Sequence, residues 1–160
     1  MITDPVIAST ANLLTARIHL TVPRTEIRHV MGPALAEVRA ALAAQQVEPA
    51  GPWLTHHLRR PTDTFDFEVC VPIGREVAPT GRVTSGTLEG GQVVRTNYYG
   101  PYEGLAAAWG EFMQWLAASE HQPDADFWER YVLGPETGAD SSKWQTELNC
   151  RVSEIARPRT

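Results

Sequence analysis

The sequence predicts an α+β fold: a pseudo-twofold tandem repeat of βαββ units, with one antiparallel sheet, two helices on one face and a ligand cleft on the other. Three observations predict it. Segments near residues 16–22 and 65–73 alternate apolar and polar residues, the period of half-buried strands. Two stretches, 25–46 and 102–116, carry apolar residues at helical spacing. The same order of strand, helix, strand, strand then recurs after a connector rich in proline and glycine at 74–91.

Residues 1–15 show no clean period and are expected to be a lead-in. Ala16, Ile18, Leu20 and Val22 alternate with Arg17, His19 and Thr21, and Pro23 stops the strand. Leu35, Val38 and Leu42 form one apolar helix face, with alanines favouring helix throughout and Gly32-Pro33 expected to kink or restart it. A short strand is expected over 53–58. Phe65, Phe67, Val69, Val71 and Ile73 alternating with Asp66, Glu68 and Cys70 give the clearest strand of the chain. The connector 74–91 divides a first half, 16–73, from a second, 92–153.

In the second half residues 92–99 read as strand and Gly100-Pro101 opens a helix. Tyr102, Leu105, Trp109, Phe112, Met113 and Leu116 form that helix's apolar stripe. Segments 127–133 and 144–152 give two further strands, and 154–160 is a tail. Gly32-Pro33 pairs with Gly100-Pro101, Trp53 with Trp128 and Glu68 with Glu147, at separations that lengthen along the chain. Both apolar stripes need a common layer to bury against, which puts the helices on one face. A twisted sheet is concave on its helix-free side, where a ligand cavity is then expected.

Composition narrows the function. The chain has 160 residues, 42% hydrophobic and 21% charged, which suits one globular domain rather than a disordered chain. A net charge of −5 with scattered arginines leaves no footprint for a nucleic-acid backbone, so no nucleic-acid partner is expected. No cationic signal start or membrane-length apolar run is present, so a cytoplasmic location without membrane partner is expected. Cys70 and Cys150 lack CxxC spacing and read as buried small hydrophobes. Five tryptophans either fill a core or line a cavity.

The motifs of the second half carry a resemblance. Tyr98-Tyr99-Gly100-Pro101-Tyr102-Glu103 is similar to the "HxGPYE" helix start of the GyrI-like small-molecule-binding domain, the effector domain of AraC-type and MerR-type multidrug regulators. Tyr131 with Gly134-Pro135 is similar to its "YxxxP" segment, and Thr146-Glu147-Leu148 to its "TEL" final strand. The resemblance covers about residues 16–153. Tyr98 stands where the family often has histidine, and Arg151 where a proline usually follows the glutamate strand. The resemblance implies the stand-alone branch, an effector-binding domain without a DNA-reading module, and it implies that Glu147 faces the drug pocket.

By alternation, Trp144, Thr146, Leu148, Cys150 and Val152 share one face of the last strand. Glu147 then points to the helix-free side, as Glu68 does on its own strand; two such carboxylates are either solvated or the charged floor of a pocket. A carboxylate walled by rings favours a bulky lipophilic cation, each ring face adding about 0.5–2 kcal/mol. The candidate ligand-binding residues are therefore Glu147, Glu68, Trp53, His56, Tyr98, Tyr102 and Tyr131, with Tyr102 equally suited to the core. Trp109, Trp115, Phe112 and Trp144 are assigned to core. His56 and His57 point to opposite faces of a strand and cannot share a metal, and no cofactor motif is present, so neither metal nor cofactor is expected.

The function expected is a multidrug-type small-molecule-binding protein that captures bulky aromatic, often cationic compounds. The resemblance implies an alternative, a hydrolase that opens the cyclopropane of DNA-alkylating natural products. Glu147 would then be the general base and Tyr131 its orienting or proton-donating partner. The family's name also implies contact with gyrase, for which the acidic net charge is a further reason.

Overall fold

The computed structural model describes residues 2–154, without the side chain of residue 154; of the expected tail, 154 ends the last strand and 155–160 lie outside the described residues. The six expected strands form: β2 (Leu13–Pro23), β3 (Leu54–His57), β4 (Thr64–Pro72), β6 (Gly91–Tyr99), β7 (His121–Leu133) and β8 (Gln145–Glu154). Two more appear where none was expected, β1 (Val6–Thr10) in the lead-in and β5 (Thr84–Leu88) in the connector. They are edge strands, paired on one side only, which is why neither carries the pattern of a half-buried strand.

The helices are α1 (Ile27–Ala44) and α2 (Leu105–Ala117). Helix α1 runs through Pro33 without a restart. That proline lies in the exposed part of the second turn, where it forfeits only the bond its amide would have given to the previous turn. The helix ends where Gln46 takes a φ of 57° and the Val47 amide donates to the Leu42 carbonyl at 2.9 Å.

The strands form one antiparallel sheet in the order β1-β6-β8-β7-β3-β4-β2-β5. Helix α1 packs on β2 and β4, and α2 on β6 and β7, so both helices lie on one face. Each covers its own core. Ile18, Val38, Leu42, Phe67 and Val69 are buried under α1, and Val94, Phe112, Leu116, Leu148 and Cys150 under α2. The middle pair of strands, β3 and β7, carries His57, Phe127 and Tyr131 on that same face, and none of them belongs to either cluster.

The strand order fixes the shape of the other face. Six strand spacings, about 29 Å in a flat sheet, separate β1 from β2, yet Ala11 and Asn12 alone join them and span at most about 11 Å. Glu89 and Gly90 join β5 to β6 across the same interval. The sheet therefore curls until its edges meet. The two connectors touch: the Gly90 amide donates to Asn12 Oδ1 at 2.7 Å, and a Cβ on Gly90 would sit 2.3 Å from the Thr10 carbonyl oxygen. Glycine is required there by proximity.

The helix-free face thus becomes an interior. Leu54, Cys70, Leu88, Val93 and Trp128 fill it, with Ala8 and Leu13 against them. A ligand cleft was expected on this face; among the described residues curling narrows the concavity and these side chains occupy it. Among the described residues no helix is long and apolar enough to cross a membrane.

Candidate functional site

Because each helix covers its own half, the seam between them stays open on the helix face. A cavity of about 1020 Å³ lies there, at the upper end of the usual range for ligand pockets. Ile27 and Met31 of α1 form one wall and Leu105, Trp109 and Met113 of α2 the other. Trp53, His57, Phe65, Phe127, Glu129 and Tyr131 of the sheet side form the floor.

The floor is aromatic with one carboxylate in it. Trp53 and Tyr131 have ring centroids 4.1 Å apart, Tyr102 meets Tyr131 edge-on at 5.8 Å, and Trp109 meets Phe127 at 4.7 Å. Glu129 accepts the Trp109 indole N–H at Oε1 (2.8 Å) and the Tyr131 hydroxyl at Oε2 (2.7 Å). Tyr131 Oη also lies 2.8 Å from Thr55 Oγ1; its proton is committed to Glu129, so Thr55 donates. A buried relay runs from Thr55 through Tyr131 to Glu129.

Burial pushes the Glu129 carboxyl above its usual range, against the lowering effect of its two hydrogen bonds. Burial and the neighbouring Glu129 push Tyr131 far above the usual phenol value, so it stays a proton donor. Each Glu129 oxygen keeps acceptor capacity beyond its one donor. The site can therefore hold a cation or a hydrogen-bond donor between ring faces, or take a proton there.

His57 lies between Phe67 and Phe127, stacked at centroid distances of 5.4 and 4.7 Å. Burial lowers its pKa to about 4, helped by the charge of His56, so it is neutral near pH 7. Its Nδ1 is buried and has no hydrogen-bond partner.

Three of the seven residues singled out from sequence line this cavity: Trp53, Tyr102 and Tyr131. Tyr98 is in the core under α2, its hydroxyl donating to the Pro101 carbonyl at 2.8 Å. Glu68, His56 and Glu147 lie on the opposite face, as their alternation requires, and that face is the filled interior. Glu147 is 3.2 Å from Arg95 Nε and 3.6 Å from Arg130 Nε, and accepts from Asn149 Nδ2 at 3.0 Å. Neither glutamate borders the cavity.

Glu68 and His56 belong to an ionic chain that crosses five adjacent strands. Arg17 of β2 meets Glu68 of β4 at 2.9 Å, and Glu68 meets His56 Nδ1 of β3 at 3.1 Å. His56 Nε2 meets Asp126 of β7 at 3.1 Å, and Asp126 meets Arg151 of β8 at 3.1 Å. Burial opposes charge on His56, but the hydrogen bonds to Asp126 and Glu68 outweigh it and its pKa is raised. The chain ties the two halves together across the β3–β7 seam.

Trp109, assigned to the core from its helix stripe, instead presents its indole to the cavity. Trp144 packs on Tyr102 at 5.2 Å, Trp115 is 38% exposed, and Phe112 alone of the four is fully buried. Glu129 was missed. Its signal was present: Phe127, Glu129 and Tyr131 share a face by alternation, so a carboxylate stands in an aromatic row. Among the described residues no group of three His, Cys, Asp or Glu is placed to hold a metal ion.

Residues 16–152 match the family model of the GyrI-like small molecule binding domain. No curated protein matches the sequence. Among solved structures the chain is similar to the EcmrR C-terminal domain, with TM-score 0.83 and 18% identity over 95% of this chain and 98% of that one. It spans 58% of the EcmrR chain seen in complex with DNA. SAV2435 bound to tetraphenylphosphonium has TM-score 0.66 and 15% identity, covering 94% of each chain. A hydrolase from Listeria innocua has TM-score 0.66 and 14% identity over 93% of this chain and 91% of that one. At these identities the likeness is one of fold.

Proposed function

Since the chain belongs to the GyrI-like small-molecule-binding family, we propose that it captures bulky aromatic compounds, often cationic, in the cavity between α1 and α2, in the cytoplasm. The observation that carries this reading is Glu129, a carboxylate held by Trp109 and Tyr131 within an aromatic floor. A flat cation inserted there exchanges hydration for ring faces worth about 0.5–2 kcal/mol each and for a desolvated counter-charge. Two or three rings and one carboxylate suffice for micromolar affinity. SAV2435, of the same fold, is bound to tetraphenylphosphonium, a bulky aromatic cation.

The test is a titration with rhodamine 6G, a lipophilic cation, followed by quenching of Trp53 and Trp109. Glu129→Gln keeps the shape and one acceptor while removing the charge. It is expected to weaken the dye at least tenfold and to leave a neutral polycyclic analogue nearly unchanged. Equal losses for both ligands would remove the electrostatic role of Glu129.

The raised pKa of Glu129 favours a second reading, hydrolysis of a strained ring. Glu129 then takes one proton of a water whose oxygen bonds to a ring carbon while a ring C–C bond breaks, the released carbon takes up a proton from solvent, and Tyr131 orients the carboxylate. Cyclopropane opening that continues undiminished in Glu129→Ala would end this reading. Glu147 is held by Arg95 and Arg130 on the opposite sheet face from this cavity.

A further inference from the structure

The mouth of the cavity carries a charge opposite to that of its floor. Arg24, in the turn that leads into α1, Arg28, about one turn further on in the first turn of α1, and Arg60, on the loop between β3 and β4, all line the cavity and are exposed. The Arg24 amide donates to the Asp63 carbonyl at 2.9 Å, which ties that loop to the start of the helix and gathers the three side chains at one end. Each reaches over apolar groups of the cavity: the Arg24 guanidinium lies 5.5 Å from the Phe65 ring centroid, and Arg60 Nη1 is 3.6 Å from Met113 Sδ across on α2.

Among the described residues none of these three arginines makes an ion pair; Arg39 and Arg75 make none either, whereas Arg17, Arg59, Arg82, Arg95, Arg130 and Arg151 do. Two carboxylates also border the cavity. Glu129 is on the floor, committed to Trp109 and Tyr131. Glu103 precedes α2, ten residues before the Met113 that Arg60 touches, which is about 15 Å along a helix. Glu26 and Asp63 stand beside these arginines in the chain, but neither borders the cavity nor forms an ion pair with them, so three cationic side chains face that end of the cavity with no carboxylate of its lining next to them. A ligand that is only a cation meets repulsion there, while a carboxylate or sulfonate meets planar guanidinium donors that fit it.

We propose that the cavity prefers aromatic compounds bearing an anionic group, with the ring system between α1 and α2 over the floor and the acid held at the mouth by Arg24, Arg28 and Arg60. This rests on the reading of the cavity as the small-molecule site and names the class of ligand that the site selects. The mouth is solvated, so each arginine contact is worth about a twofold gain, and the three together about tenfold.

Rhodamine 110 and rhodamine 123 test it, since they differ only in that the first has a free carboxylate and the second its methyl ester. Affinities for both are measured on the wild-type protein, on the triple variant R24Q/R28Q/R60Q and on R75Q, whose exposed arginine does not line this cavity. The wild type and R75Q are expected to bind the acid about tenfold more tightly than the ester, a preference that shrinks with added salt and is absent from the triple variant. Because all three positions are exposed, the triple variant is expected to unfold at the wild-type urea concentration. Equal affinities in the wild type, or a preference for the acid that survives in the triple variant, overturn the proposal while leaving the cavity as a binding site. Binding of neither dye overturns both.

Discussion

His57 offers a sharp test of how the seam is built. Its ring is 5% exposed, stacked between Phe67 and Phe127, with Nδ1 unpartnered, and burial holds its pKa at about 4 against 6.5 in an unfolded chain. A histidine whose pKa is lowered by folding binds fewer protons folded than unfolded between those values, so stability falls as pH drops through that window. From pH 7 to 4.5 the loss is about 2.5 kcal/mol, at about 1.4 kcal/mol per pH unit. His57→Phe extends the phenylalanine stack and removes the titration. Urea unfolding followed by tryptophan fluorescence at pH 7 and 4.5 reads both proteins. Carboxylates such as Asp66 and Asp126 also lose stability in acid, but they do so in both proteins, so the difference isolates His57. The variant is expected within about 1.5 kcal/mol of wild type at pH 7 and to gain about 2.5 kcal/mol on it at pH 4.5. Parallel losses in the two proteins would refute a neutral, buried His57.

Three further outcomes follow from the same geometry. Glu147→Gln is expected to cost about 1 kcal/mol of stability, because Arg95 and Arg130 are partly exposed and screened, and to leave rhodamine 6G affinity within twofold of wild type in the quenching titration. Gly90→Ala drives a Cβ into the backbone of Thr10 and Ala11, so it is expected to cost more than about 2 kcal/mol in urea unfolding, well beyond the loss at an ordinary surface site. His56 has the opposite sign to His57: its raised pKa gives stability that is present below pH 6.5 and is lost as pH rises through the folded value. A thermal melt between pH 6 and 9 is expected to show that loss in the wild type and not in His56→Gln.

What the sequence made legible was local. The alternation of Phe65 to Ile73 and of Trp144 to Val152 assigned the faces of β4 and β8, and the stripe of Leu105, Phe112 and Leu116 assigned α2 to a core. The curl was not legible, because it arises from β1 pairing with β6 and β5 with β2, contacts far apart in the chain that no local period encodes. Without the curl, the helix-free face looked like an open concavity, and Glu68 and Glu147 were drawn to it. In the folded chain that concavity is closed by Leu54, Val93 and Trp128, and its carboxylates are matched by arginines and His56.

The cavity arises instead from a gap in coverage. Helix α1 packs on β2 and β4 and helix α2 on β6 and β7, and between the helices the aromatic row of β3 and β7 lines a cavity instead of joining either core cluster. Tyr102 illustrates how a residue serves both purposes: it packs against Trp144 at the start of the helix and turns its other edge to Tyr131 in the floor. Trp109 does the same on α2, resting on Phe112 at 5.6 Å while its N–H reaches Glu129. A helix stripe alone cannot distinguish such a wall from a core, since both need apolar residues at the same spacing.

The central claim is that ligands bind on the helix face, against Glu129, and not inside the curled sheet. A crystal structure of the complex with rhodamine 6G tests this most directly. The account predicts density for the xanthene between α1 and α2, in contact with Trp53, Trp109 and Tyr131, with its cationic edge toward Glu129. Density on the other face, beside Glu68 or Glu147 with Leu54 and Trp128 displaced, would contradict it.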